Sequence, residues 1–444
     1  MLARLSLSIL SLFAAACAHT PPPLPVPEAE RLDAALTAAA AHDRFYGAAL
    51  LARDGEVVLR KAYGPVDEAG TPATPETLYN VGSVGKLFTQ VLVLEAVEQG
   101  RLSLDDTIAR HWPDSGLPNA DRITLRQLLS HTSGYGNYFE HEDYSLAQRE
   151  IDEFLELVRT ADPEFAPGEG FAYSNSAFWV LARILERTDP EERSWEELFD
   201  EEVFARAGMT SVQAFQPDED PAARPQPFEL RADGKVEPVF DDPRPGPDGG
   251  WYASVDDLLA FSQAITRGEW FGPQTYAASI EPVAYFDSMS ADVGLVWELH
   301  DDNGRRYVTK GGTTDGGGAE LVRFRHDGHE YTLAMLSNLG NAPLMIFKPA
   351  LSYALADPGA RLPGPSPEVA LYQAALAGEL PATEQGLRQW AARGGVELDL
   401  MPMLLAANQL RKDDRGDAAR QLLGVTLELY PGNPIALRIL QALD

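Results

Sequence analysis

The stretch Val81-Gly82-Ser83-Val84-Gly85-Lys86-Leu87-Phe88 puts two glycines, a serine and a lysine at the head of an apolar helical pattern that runs to Glu98. Three readings compete: a phosphate loop, a plain helix start, or a nucleophile beside its base. A Walker loop needs a glycine five residues before the Gly-Lys glycine and a hydroxyl directly after the lysine. Those positions hold Asn80 and Leu87, so the stretch does not fit a phosphate loop. As a helix start, Ser83 is a good N-cap, but Lys86 sets a cation where the helix macrodipole disfavours one. Lysine is also scarce: six of the 36 basic residues, at positions 61, 86, 235, 310, 348 and 412, and of these only Lys86 has a serine three residues before it. Positions i and i+3 share one helix face, which brings the amine within reach of the hydroxyl. A lysine kept neutral by burial and by the positive helix end can take the serine proton.

The rest of the chain bounds this reading. At 444 residues it has room for one large domain and something smaller, with an interior rich enough (45% apolar residues) for a sizeable core. Its net charge of −31 is spread along the sequence. A nucleic-acid partner is not expected, because a binding face needs clustered Lys and Arg to neutralise phosphates. Residues 1–17 open with Met1-Leu2-Ala3-Arg4 and continue as an uncharged run to Cys17, the pattern of a secretory signal too short to span a bilayer. Ala14-Ala15-Ala16-Cys17 resembles the lipobox of bacterial lipoproteins, in which the cysteine is lipidated; as the only cysteine, Cys17 cannot form an internal disulfide. Residues 18–27 contain "PPPLPVP", a composition that suits an extended tether. These features predict export to the periplasmic side of a bacterial envelope, with membrane contact through a lipid on Cys17; a simply cleaved signal with an incidental cysteine is the alternative.

Beyond the tether, residues 28–43 carry the apolar spacing and alanine content of a helix. "GAALLAR" and "EVVLRKAYG" are joined by Asp54-Gly55, a hairpin signal. In the helical pattern from Ser83 to Glu98, Leu87, Val91, Leu94 and Val97 fall on or near one face. Helices and loops dominate to about residue 275. Strand patterns return in "GLVWEL", "RRYVTK", "AELVRFR" and "EYTLAMLS", the last two joined through Asp327-Gly328. An antiparallel sheet supplied by both ends of the chain, with a helical section between them, predicts an α+β fold with the N-terminal hairpin beside the C-terminal strands. From about residue 365 the patterns are helical to the end, and "GDAARQLLGVTLELYPGNPIALRIL" resembles a tetratricopeptide-type helix pair. That is too few units for a free-standing array, so residues 365–444 read as a helical extension, a surface for protein contact.

"NVGSVGKLFT" resembles the Ser-x-x-Lys motif of the penicillin-recognising serine hydrolases, the fold of class C β-lactamases, D-Ala-D-Ala carboxypeptidases and related esterases. Four further segments agree in order: "ITLRQLLSHTSG", "PGEGFAYSNSAFWVLARILE" with Tyr173-Ser174-Asn175 as Tyr-x-Asn, "PDGGWYASVDDLLAF", and "YVTKGGTTDGGGAELVRF" with Lys310-Gly311-Gly312 as the third motif. Tyr135-Gly136-Asn137 also fits Tyr-x-Asn, but it directly follows the His131 to Gly134 loop and reads as a turn. The resemblance places a β-lactamase/transpeptidase-like hydrolase domain at residues 28–355.

It implies that Ser83 attacks a carbonyl to give an acyl-enzyme with Lys86 as base. Tyr173, as a phenolate between Lys86 and Lys310, shuttles the proton to the leaving group and later activates water. Asn175 binds the substrate amide and steadies Lys86, and the N–H groups of Ser83 and Thr313 form the oxyanion hole. Lys310, Gly311, Gly312 and Thr313 line the substrate, Lys310 offering its charge to a substrate carboxylate or to Tyr173. Gly311 departs from the family, since it lacks the hydroxyl that β-lactamases use for a carboxylate. The implied activity is hydrolysis of an ester, amide or peptide, with a true β-lactamase or D-Ala-D-Ala carboxypeptidase, or a non-catalytic binding lipoprotein, as alternatives. No cofactor is implied and no metal is expected: His326 and His329 lack further ligands, and His141-Glu142 lacks the second histidine of a zincin.

Overall fold

"GAALLAR" forms a strand, β1 (Gly47–Arg53), that buries both faces: Ala48, Leu50 and Ala52 in one apolar core, Ala49 and Leu51 in another. That two-sided burial marks a central strand. The computed structural model describes residues 26–215, 220–231, 233–242, 244–286, 291–302, 304–396 and 398–443; the signal segment, Cys17 and residues 18–25 lie outside them. The remaining strands of the main sheet are β2 (Glu56–Tyr63), β3 (Ala284–Phe286), β4 (Ala291–Val293), β5 (Glu298–Asp302), β6 (Arg305–Thr314), β7 (Gly317–His326) and β8 (His329–Ser337). They run antiparallel in the order β2-β1-β8-β7-β6-β5-β4-β3. Gly47 pairs with Ser337 and Arg53 with Tyr331, so the N-terminal hairpin lies beside the C-terminal strands as the pattern predicts. Both Asp-Gly turns have positive φ at both residues (52° and 84°, 49° and 81°), the backbone that matches the strand twist of a tight hairpin.

The longer helices of the main body are α1 (Pro27–Ala41), α2 (Lys86–Glu98), α3 (Ile151–Thr160), α4 (Ser176–Thr188), α5 (Val255–Arg267) and α6 (Ala342–Ala354). Helices α1 and α6 cover one face of the sheet through Leu32, Leu36, Ile346, Phe347 and Leu351. The helical section packs on the other, with α2 at its centre. Because α1 begins at Pro27 with Val26 buried, these two residues belong to the folded body and not to the tether.

Two other expectations change. Helix α2 is not one-faced, since every residue from Lys86 to Ala96 is buried, the polar Lys86, Thr89, Gln90 and Glu95 included; a helix buried nearly all round is a core helix. "GLVWEL" is not one strand: Gly294 donates to the Trp297 carbonyl (2.9 Å), Val296 turns to φ 70° with its N–H on the Leu129 carbonyl (2.9 Å), and β5 starts only at Glu298. The break ties the sheet edge to the helical section and sets Glu298 at the mouth of β5. Beyond residue 365, α7 (Pro367–Leu376), α8 (Glu384–Gly394), α9 (Leu400–Lys412), α10 (Gly416–Leu429) and α11 (Pro434–Gln441) share a core of their own around Leu371, Leu387, Met403, Leu410 and Leu422. Among the described residues no helix is long and apolar enough to cross a membrane.

Candidate active site

Ser83 sits on a single 3-10 turn, Gly82–Gly85, that feeds α2, and its side chain caps neither helix. It is partly exposed while Gly82, Val84 and Gly85 are buried, so the hydroxyl is presented from a fixed support. The turn lies against β6 at backbone contact. A Cβ on Gly312 would stand 2.1 Å from the Val81 carbonyl oxygen and 2.9 Å from the Ser83 nitrogen, and one on Gly82 (φ 48°) would stand 2.9 Å from the Thr313 nitrogen. The glycines let the Ser83 and Thr313 amides come together, which an oxyanion hole requires.

Lys86, at the start of α2, is fully buried. Its Nζ donates to Ser83 Oγ (3.0 Å), to Asn175 Oδ1 and to the Asp248 backbone carbonyl (2.7 Å). Asn175 is oriented in turn by Asn137, whose Oδ1 accepts from the Asn175 backbone N–H (3.0 Å) and Nδ2 (2.8 Å), while Asn137 Nδ2 donates to the Tyr173 carbonyl (3.1 Å). The tripeptide that reads as a mere turn therefore scaffolds the Tyr-x-Asn segment proper: its Asn137 takes the backbone N–H and one Nδ2 hydrogen of Asn175, which turns Oδ1 toward the lysine. The Asp248 carboxylate accepts from the Tyr138 hydroxyl (3.1 Å). Burial pulls the Lys86 amine below its usual range and nearby Lys310 adds to this, against the opposing pull of Tyr173 and Asp248. A lowered amine is what a general base needs.

Tyr173 is held between two rings, stacked on His131 (4.3 Å between centroids) and Phe286 (5.7 Å). Both Lys86 Nζ and Lys310 Nζ lie 5.1 Å from its ring centroid. Burial alone would push the phenol up, but the two ammonium groups and a hydrogen bond with Ser83 outweigh it and leave the phenol lowered. His131 accepts from the Ser174 backbone N–H through Nδ1 (3.1 Å), and burial followed by the two lysines holds it well below its usual range. It serves as a neutral platform under Tyr173.

Lys310 also reaches this cluster, but not as an open cation. Its side chain is 1% exposed, and Nζ makes a 2.6 Å ion pair with Glu298, itself 5% exposed. Burial opposes the charge, yet Glu298 and Tyr173 overcome it and hold the ammonium above its usual range. Of the two uses expected for Lys310, the geometry serves Tyr173. Glu298 carries no motif in the sequence. Behind it Glu320 is fully buried, neither carboxyl oxygen has a hydrogen-bond partner among the described residues, and burial together with Glu298 pushes its carboxyl well up.

A raised carboxyl favours folding below its unfolded pKa, and that advantage fades as pH rises toward the folded value. Glu320→Gln, which cannot ionise, should therefore raise the melting temperature at pH 8 more than at pH 5. Thermal unfolding at the two pH values checks this; an equal change at both would mean that Glu320 is charged in the fold.

Among the described residues no group of three or more metal-ligating side chains occurs. The family model described as Beta-lactamase matches residues 32–350, which leaves α7 to α11 outside the match. Over 289 residues the chain is 32% identical to Esterase EstB of Burkholderia gladioli, covering 56% of this chain and 73% of the esterase. It is 29% identical over 276 residues to a D-aminopeptidase of Brucella ovis, covering 61% of this chain and 52% of that protein. Among solved structures, a penicillin-binding protein from Bacillus halodurans superposes with a TM-score of 0.58 at 25% identity, over 68% of this chain and 94% of that one.

Proposed function

The chain belongs to the Beta-lactamase family, and on that premise we propose that it is a serine hydrolase that forms an acyl-enzyme on Ser83 with an ester, amide or peptide. The observation that carries the reading is the 3.0 Å contact between Lys86 Nζ and Ser83 Oγ inside a site that lowers both Lys86 and Tyr173. As Ser83 Oγ bonds to the substrate carbonyl carbon, its proton passes to the Lys86–Tyr173 couple. The bond to the leaving group breaks and that group takes the proton from Tyr173. Water, deprotonated by the same couple, then adds to the acyl carbon, and the carbon–Oγ bond breaks as Ser83 takes that proton back, which frees the acid. The Ser83 and Thr313 amides meet the oxyanion. The names of the similar proteins span an esterase, an aminopeptidase and a penicillin-binding protein, which supports the reaction class more than any single substrate. The proposal also places the enzyme on the periplasmic side of the envelope, tethered through Cys17, with support from the Ala14 to Cys17 segment.

A fluorophosphonate probe tests it. Intact mass and peptide mapping should show one adduct, on Ser83, that Ser83→Ala lacks. A folded wild-type protein that stays as unmodified as the variant would end the hydrolase reading.

A further inference from the structure

Strand β6 puts alternate residues on opposite faces. Tyr307 belongs to the core under α1 and α6, while Val308 packs on the core around α2. Thr309 and Gly311 therefore share the α6 face, and Lys310 the active-site face. In register, Thr309 lies opposite Glu298 and Gly311 opposite Glu320. Both acids thus start from the face away from the cleft, yet Glu298 meets the Lys310 ammonium at 2.6 Å.

Gly311 leaves the two acids room behind the strand. A Cβ there would fall 3.0 Å from Glu320 Oε2, tight against the end of that side chain, and 3.8 Å from Glu298 Oε2, in ordinary contact, so a branched, hydroxyl-bearing side chain would crowd Glu320 first. The absent hydroxyl at position 311 and the acid pair behind it are one feature: the strand gives up a side chain, and a carboxylate takes the lysine's charge from beneath. With Glu320 kept neutral by burial, Lys310 and Glu298 cancel. Lys86 is equally buried and already donates to three oxygens.

We infer that Glu298 is a specificity-determining positioning residue: it withholds the Lys310 ammonium from the cleft, so that the site takes esters and amides uncharged on the side facing β6, and not substrates read by a carboxylate. This rests on the hydrolase reading above and names its substrate class.

Two aryl esters of N-acetylglycine test it, one with phenol and one with 3-hydroxybenzoate as leaving group, each kcat/KM divided by the rate of spontaneous hydrolysis. The wild type should turn over the neutral ester at least as well as the carboxylate ester. Glu298→Gln should move the ratio toward the carboxylate ester by about tenfold or more, the scale of one charge-assisted hydrogen bond. Structural damage alone would lower both rates together and leave the ratio in place. A wild type that prefers the carboxylate ester tenfold, or an unmoved ratio in a folded, active Glu298→Gln, overturns the inference; the wild-type ratio decides even if the variant does not fold. Turnover with the wrong ratio sinks this inference alone. No turnover of either ester, with Ser83→Ala indistinguishable from wild type, sinks the hydrolase reading and this inference with it.

Discussion

Ser83→Ala, Lys86→Ala and the double variant should each lower kcat/KM on an acyl ester by about 10⁴-fold or more, and by nearly the same factor. The equality is the informative part. A serine hydroxyl without a base 3.0 Å away is a poor nucleophile, and the base has no task once the hydroxyl is gone. Removing the second member therefore takes away little that the first removal left. A double variant whose loss equals the product of the single losses would show that the two side chains act separately, and the proposed proton route would fail.

The pH profile adds an independent check. Protonating either Lys86 or Tyr173 removes the base, so wild-type kcat/KM should fall as pH drops through the apparent pKa of the couple. Burial lowers Lys86, and the two ammonium groups lower Tyr173 despite its burial. That limb should thus lie below the ~10 of a free amine or phenol, and in the residual activity of Lys86→Ala it should move to higher pH, because Tyr173 loses one of the two charges that lower it. Thermal unfolding belongs with these measurements, because Lys86→Ala leaves Asn175 Oδ1 and the Asp248 carbonyl without their donor.

The dyad is legible in the sequence because it is local: three residues along one turn decide whether the amine reaches the hydroxyl. The centre of the sheet is nearly as legible, since two Asp-Gly turns between β patterns fix two hairpins, and only their mutual pairing crosses the chain; the three-residue strands β3 and β4 are too short to leave a pattern. What stays hidden depends on contacts between distant segments. Asn137 looks like a turn residue until a partner 38 positions away, Asn175, is folded onto it. The Asp248 contribution to Lys86 is a backbone carbonyl, which any residue could supply and no side-chain pattern marks. Glu298 is one acidic residue among 67, masked further by a strand break at Val296, whose left-handed φ a β-branched residue rarely adopts. Its one trace in the sequence is indirect: a glycine at 311, where a hydroxyl was to be expected.

Gly312→Ala should lower kcat by about 10²–10³-fold, the cost of displacing one oxyanion donor, while the protein stays folded with a loss of about 1–3 kcal/mol from local overpacking. The added methyl would start 2.1 Å from the Val81 carbonyl oxygen and 2.9 Å from the Ser83 nitrogen. Both are backbone atoms, so the clash cannot be relieved by a side-chain rotation; the Ser83 turn and β6 must part, and the two amides part with them. Gly311→Ala is the matched control. Its methyl would meet first the end of the Glu320 side chain, at 3.0 Å, which can shift without moving the Ser83 turn. The Gly312→Ala loss should appear in kcat with KM little changed, because the interaction it disturbs strengthens only as charge develops on the carbonyl oxygen. Fluorophosphonate labelling of Ser83 should slow in parallel, since that reaction also places an oxygen in the same hole. If Gly312→Ala keeps kcat within about threefold of wild type, or if Gly311→Ala is the more damaged of the two, the close approach of β6 to the Ser83 turn is not what shapes the oxyanion site.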